Sequence, residues 1–241
     1  MYTELDTARL KIKHKDLIRA CCRAIYLWEF GEDSVNKKYR KTDKQMMKYF
    51  GGIWTRYTKT KRKNVRYTVK ELQNLMHSCM IERQVNNKEL GQIGSHLSNQ
   101  SVLTSHNYVI NLQVQITGRL ATAKKLTDNL ANFLNIGKGN QPALASRLLF
   151  FAMPQLHFYN HSQPLVANLK RRFKFKIDTV DDVFDAMHKL HQANKEELKN
   201  LPRPKFSEVK GIATAINEGD WWERRVLDLA VLQNWDCFCK D

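Results

Sequence analysis

Leu134-Asn135-Ile136-Gly137-Lys138-Gly139-Asn140-Gln141-Pro142-Ala143 is the most specific local pattern in this chain. A long helical pattern leads into it from Tyr108 through Ile116, Leu120, Leu126, Leu130 and Leu134, with Gly118 as a point of interruption. Two glycines one residue apart then end that helix. Pro142 opens a second, strongly apolar helix that runs to Met153, where Pro154 stops it. The first N–H groups of a helix have no partner inside it and can hold an anion, and glycine leaves the approach open. Ala143 is small, as close packing of two helices requires. An ordinary glycine-capped turn between helices has the same spacing, so the turn alone leaves both readings open.

Outward from this turn the periodicity stays helical. Leu17, Ile18, Cys21, Ile25 and Trp28 predict an amphipathic helix over roughly 5–30, with Gly31 as its stop. Thr68 and Glu71 form a capping-box pattern ahead of a stripe of Leu72, Leu75, Met76, Cys79 and Met80. Leu90 to Thr104 is polar and reads as a short helix and a loop. Pro164 starts a further helix. Val180 to Leu198 reads as one helix with Val183, Phe184, Met187 and Leu190 facing inward. Pro202 and Pro204 mark a connection, and a last helix runs from about Asp220 into Trp235. No pattern of period two persists, so the expected class is all-α.

The chain has 241 residues, long enough for one large domain or two small ones. Lys and Arg number 40 against 24 Asp and Glu, a net charge of +16. Such an excess sets up a positive field whose usual partners are phosphate polymers and anionic surfaces. No apolar run approaches the ~20 residues of a membrane-spanning helix. The start, Met1 to Asp6, lacks the basic and apolar regions of a signal peptide. The five cysteines, Cys21, Cys22, Cys79, Cys237 and Cys239, are odd in number and unevenly placed, which fits reduced thiols in a cytosol. Cys237-x-Cys239 lacks a second Cys/His pair at finger-like spacing, so neither a metal nor another cofactor is expected. The expected location is cytoplasmic and nucleoid-associated, with no membrane contact.

The charge is concentrated. Residues 37–70 carry Lys37, Lys38, Arg40, Lys41, Lys44, Lys48, Arg56, Lys59, Lys61, Arg62, Lys63, Arg66 and Lys70, with Asp43 as the one acid. Tyr39, Tyr49, Phe50, Trp54, Tyr57 and Tyr67 are interleaved. Cations neutralise phosphates and release counterions, while aromatic faces stack on bases or wedge between them. Thirteen like charges repel unless a partner is present. Lys170, Arg171, Arg172, Lys174 and Lys176, with Phe173 and Phe175, form a second cluster and a second candidate contact.

The glycine turn resembles that of the helix-hairpin-helix DNA glycosylase superfamily, and within it the 8-oxoguanine glycosylase fold. The family hairpin reads Gly-hydrophobic-Gly-x-x-x-Ala; here it is Gly137-Lys138-Gly139-Asn140-Gln141-Pro142-Ala143, with Lys138 in the apolar place. The family then has an apolar helix, a short loop and a catalytic aspartate. Here Leu144 to Met153 leads to Pro154-Gln155-Leu156-His157-Phe158-Tyr159-Asn160, which puts Asn160 at the aspartate's position. Gln141 stands where bifunctional members have a nucleophilic lysine. Gly219 to Asp228 looks like the closing helix of small bacterial proteins with this fold.

The resemblance implies a compact multi-helix domain with a helix-hairpin-helix DNA-binding element. A basic helical part spans 1–105, and a glycosylase-like part spans 106–241 with its hairpin at 130–153; the two can equally form one continuous domain. It implies double-stranded DNA as partner and a role in repair or in defence against foreign DNA. Gly137, Lys138, Gly139, Lys59, Lys61, Arg62, Lys63, Arg66, Arg147, His157, His161, Lys170, Arg171 and Arg172 are the candidate contacts. Excision needs a carboxylate or an amine at the reacting sugar; Asn160 and Gln141 supply neither. Binding is therefore expected over catalysis. An active glycosylase or lyase with displaced residues is the second reading, and a basic subunit of a nucleoprotein assembly with protein partners is the third.

Asp178, Asp181 and Asp182 lie near enough in sequence to replace a lost carboxylate, but acids there fit the start of a helix better. His157 and His161 flank Asn160 and read equally as loop histidines. Arg147, on an apolar helix, reaches DNA or pairs with an acid. Trp221, Trp222 and Trp235 read as core. His188-x-x-His191 lies on one helix face and reads as surface. No phosphate-binding P-loop, metalloprotease helix or nucleophile elbow occurs. Replacing Lys59, Lys61, Arg62 and Lys63 by neutral residues should weaken DNA binding and flatten its dependence on salt. Titration of the variant against duplex DNA at several salt concentrations checks this; unchanged affinity and slope would remove the segment from the contact.

Overall fold

A computed structural model of the chain describes residues 8–31, 42–48, 118–132, 142–209, 212–218 and 220–233. The glycine turn (Gly137, Lys138, Gly139, Gln141), the basic side chains Lys59, Lys61, Arg62, Lys63 and Arg66, and the predicted helix after Thr68 lie outside the described residues. Those described are helical and contain no strand. In chain order they form α1 (His14–Glu29), α2 (Asp43–Met46), α3 (118–132), α4 (Pro142–Ala152), α5 (Gln163–Phe173), α6 (Val180–Ala193), α7 (Lys195–Lys199), α8 (Ala213–Glu218) and α9 (Trp221–Leu232). A 3-10 turn, Phe206–Glu208, follows α7. None of the described helices is long and apolar enough to cross a membrane.

α9 is the axis of this body. Every residue from Trp221 to Val231 is buried, and α1, α5, α6, α7 and α8 all pack against it, α1 most extensively. Trp28 of α1 is fully buried and meets Phe206, Trp221 and Trp222 at ring separations of 5.4, 6.0 and 6.5 Å. Trp221 donates its indole N–H to Phe150 O and Trp222 donates to Pro202 O, both at 3.0 Å. Each ring thus buries its apolar body and still places its polar edge. Both tryptophans are core, as their sequence reading holds.

α1 presents Leu17, Ala20, Cys21, Ala24, Leu27 and Trp28 inward. Ile18, expected inward, is 42 % exposed. Ala20 and Ala24 let the α1 backbone approach α9 closely, and the helix turns that small-residue face inward with Trp28 at its end. Gly31 follows the helix at φ 77°, a left-handed position that glycine takes without strain, and its N–H bonds Leu27 O.

The helix expected over Val180–Leu198 is two helices. Asn194 separates them, fully buried, and its side chain is bound to the start of the chain. Its Nδ2 donates to Leu10 O at 2.9 Å and to Leu190 O at 2.7 Å, and its Oδ1 accepts from the Ile12 N–H at 2.8 Å. Residues 11–13, beside these bonds, are not helical, and α1 begins at His14. Periodicity carries no sign of a side-chain tether across the molecule. Asn194→Leu should cost about 3 kcal/mol, since it strands the Ile12 N–H and the Leu10 carbonyl in the interior. Urea unfolding followed by tryptophan fluorescence measures this, and a loss under about 1 kcal/mol would deny Asn194 that tethering role.

Candidate functional site: a buried polar cluster around Asn160

Burying a whole helix buries its charges too. α9 carries Glu223, Arg224, Arg225 and Asp228 into the interior, and each must find a partner. Arg203 bonds Glu223 at 2.7 Å. Arg224, fully buried, donates to Pro154 O at 2.7 Å and Phe158 O at 2.6 Å, and lies over the Phe150 ring at 5.6 Å. Burial brings its guanidinium down to about 10 against the pull of Tyr159, Asp220 and Glu223. Arg225 grips Asp43 of α2 with two bonds, Nε to Oδ2 at 2.6 Å and Nη2 to Oδ1 at 3.2 Å. Asp43, the only acid in the basic stretch, thus helps dock α2 onto the core, together with buried Met46 and Met47.

The two bonds from Arg224 fix the loop 153–161 between α4 and α5. Near the end of that loop stands Asn160, which is 4 % exposed. Asn160 Nδ2 donates to Asp228 Oδ2 at 2.7 Å. Arg225 Nη1 reaches the same oxygen at 3.4 Å, and Arg147 Nη1 stands 3.8 Å from it. Ser146, next to Arg147, accepts the His161 N–H at 3.0 Å. Two arginines thus balance two aspartates around a neutral amide. Burial pushes the Asp228 carboxyl up, while Arg147, Arg225 and the Asn160 hydrogen bond pull it down. Four buried atoms here have no hydrogen-bond partner: Arg147 Nη1, Asn160 Oδ1, His161 Nδ1 and Asp228 Oδ1.

The other predicted residues separate. Arg147 turns toward an acid. His157 is stacked on His188 at 5.6 Å; burial and then Arg224 hold it down to about 3, so it is neutral near pH 7. Burial likewise lowers His161. Arg172 donates to Ala230 O at 3.1 Å and Val231 O at 3.3 Å, closing the C-terminal end of α9. Lys170 and Arg171 are exposed at the end of α5, together with Lys174 and Lys176. Lys44 of the basic stretch is tied to Glu29 and Glu208, both at 2.8 Å.

Asp181 and Asp182 lie in the first turn of α6, and Asp178 precedes its cap Thr179. Asp182 forms a capping box with Thr179, Asp181 lies 3.9 Å from Lys124, and Asp178 lies 3.5 Å from Lys176. His191, expected at the surface, is fully buried with neither ring nitrogen bonded. No group of three or more His, Cys, Asp or Glu is arranged for a metal ion among the described residues.

The chain matches no protein-family model, no curated protein and no solved structure. Asp228, Arg225 and Asp43 are the members of the cluster that sequence reasoning left out. Their signal was present: four charges on an otherwise apolar closing helix, and one acid in a run of cations. Asn160→Asp would add a third buried carboxylate to this balanced set and should destabilise the fold by about 2–4 kcal/mol near pH 7. The exchange Asn160→Asp with Asp228→Asn restores the balance and should recover most of that loss. Urea unfolding of the three variants tests it; a double variant as weak as Asn160→Asp alone would count against charge balance as the cause.

Proposed function

We propose that the chain is a DNA-binding protein on a scaffold like that of the helix-hairpin-helix glycosylases, and that it binds without standard base excision. Asn160 carries this reading. At the position matching the family's aspartate it is neutral, buried and hydrogen-bonded to Asp228, so it offers no base to a reacting sugar. The sequence Gly137-Lys138-Gly139 and the net charge of +16 support a phosphate partner. So does the end of α5, where Lys170, Arg171, Lys174 and Lys176 are exposed, Arg171 bonded to Asn168 and Lys176 beside Asp178, while Phe173 and Phe175 anchor it to the core. A cytoplasmic, nucleoid-associated place, and work in repair or in defence against foreign DNA, belong to the same reading.

One observation favours a second reading, an active glycosylase with its carboxylate displaced. Asp228 lies 2.7 Å from Asn160 on a different helix, and its Oδ1 has no partner. A carboxylate is thus present one side chain away from the matching position.

A single experiment separates the readings. Modified and unmodified duplex DNA is incubated with the chain, then scored for retention, free base and alkali-labile sites. Salt-sensitive retention with intact strands is the expected result, and the variant with Lys170, Arg171, Lys174 and Lys176 replaced by Gln should lose roughly one unit of salt slope per phosphate contact removed. Base release that Asp228→Asn abolishes would establish the second reading. Absence of any salt-sensitive retention would overturn both.

A further inference from the structure

The loop that carries Asn160 is held from a second side by histidines. His157 in the loop stacks on His188 of α6 with 5.6 Å between ring centres and 29° between planes. Tyr159, also in the loop and buried, places its hydroxyl 3.3 Å from His188 Nδ1 and packs edge-on against Phe184 at 5.9 Å. One helical turn on, His191 is fully buried, and neither of its ring nitrogens has a hydrogen-bond partner. Two imidazoles stacked as apolar plates, and a third with no acceptor for an added proton, form a seam that packs well only while all three are neutral.

We propose that this seam is an acid-sensitive latch: protonation of His157, His188 and His191 frees the 153–161 loop from α6 while α1 stays packed on α9. The surrounding charges favour release on protonation. Arg224 of α9 faces both His157 and His191, Arg119 of α3 faces His157, and Lys195 and Lys199 of α7 face His191. Around His188, Lys195 and Lys124 oppose a positive ring, and Asp185 is the one acid that favours it. Burial, the larger cause, and these cations hold His157 and His191 down to about 3, and burial lowers His188 as well.

The sign follows from linkage. Each imidazole titrates at 6.5 when released and lower when latched, so the closed loop is fully favoured above about pH 6.5 and loses ground as pH falls toward 3. Between pH 7 and pH 5 one such histidine weakens the closed state about 25-fold.

Amide hydrogen exchange on the full chain at pH 7 and pH 5, corrected for intrinsic rates, reads the latch directly. The reporters are the Phe158 N–H, which bonds Leu156 O, and the Leu156 N–H, which bonds Met153 O; the internal standard is the run of amides in α1. Protection at the reporters should fall about 25-fold or more at pH 5 while α1 keeps its own. In the variant His157→Phe, His188→Gln, His191→Met, which keeps ring shape, a polar partner and volume without titrating, the fall should shrink to under about threefold. Where that variant does not fold, His157→Phe alone carries the test, with the fall reduced at least threefold. Unchanged protection in the wild type, an undiminished fall in the variant, or equal loss throughout α1 would each overturn the latch. None of these outcomes depends on DNA binding.

Discussion

The burial of α9 with its four charges governs this molecule. An apolar helix at the centre of a helical body needs only complementary packing. A helix carrying Glu223, Arg224, Arg225 and Asp228 inward also dictates what its neighbours must offer. An uncompensated buried charge costs several kcal/mol, so partners are obligatory. Each charge therefore recruits a segment distant in sequence: Arg203 for Glu223, the carbonyls of Pro154 and Phe158 for Arg224, Asp43 for Arg225, and Asn160 for Asp228. The tryptophans at the start of the helix fix its depth, and Arg172 closes its end.

This arrangement links the fold to the candidate site. The loop 153–161 has no regular structure to hold it, and its placement comes from Arg224 on one side and the histidine seam on the other. Asn160 then meets Asp228 because the loop is fixed there, and Arg147 is drawn to the same carboxylate from α4. α2, within the basic stretch, is fastened to the same network through Asp43, with Lys44 bridging Glu29 and Glu208. The cations around the core thus divide into two kinds. Arg147, Arg172, Arg224, Arg225 and Lys44 serve the interior or its margins; Lys170, Arg171, Lys174 and Lys176 remain at the surface.

The amino-acid sequence by itself determined the all-helical class. It located α4, the proline that opens α5, the inward face of α6, the Gly31 stop and the burial of Trp221 and Trp222. These features follow from local rules: the 3.6-residue period, the fixed φ of proline, the left-handed freedom of glycine, and the size of an indole ring. It also placed Asn160 at the end of the loop after α4 and marked it as neutral. Only the tertiary structure decided that Asn194 divides one helical pattern in two, that Ile18 faces solvent, that His191 is interior, and that Asp228 and Asp43 share a network with Asn160. Each of these depends on a group more than a helical turn away, often on the other side of the molecule. No local pattern encodes which distant partner a buried polar group will find, because that partner is selected by the need to leave no charge or N–H unpaired once the helices have packed.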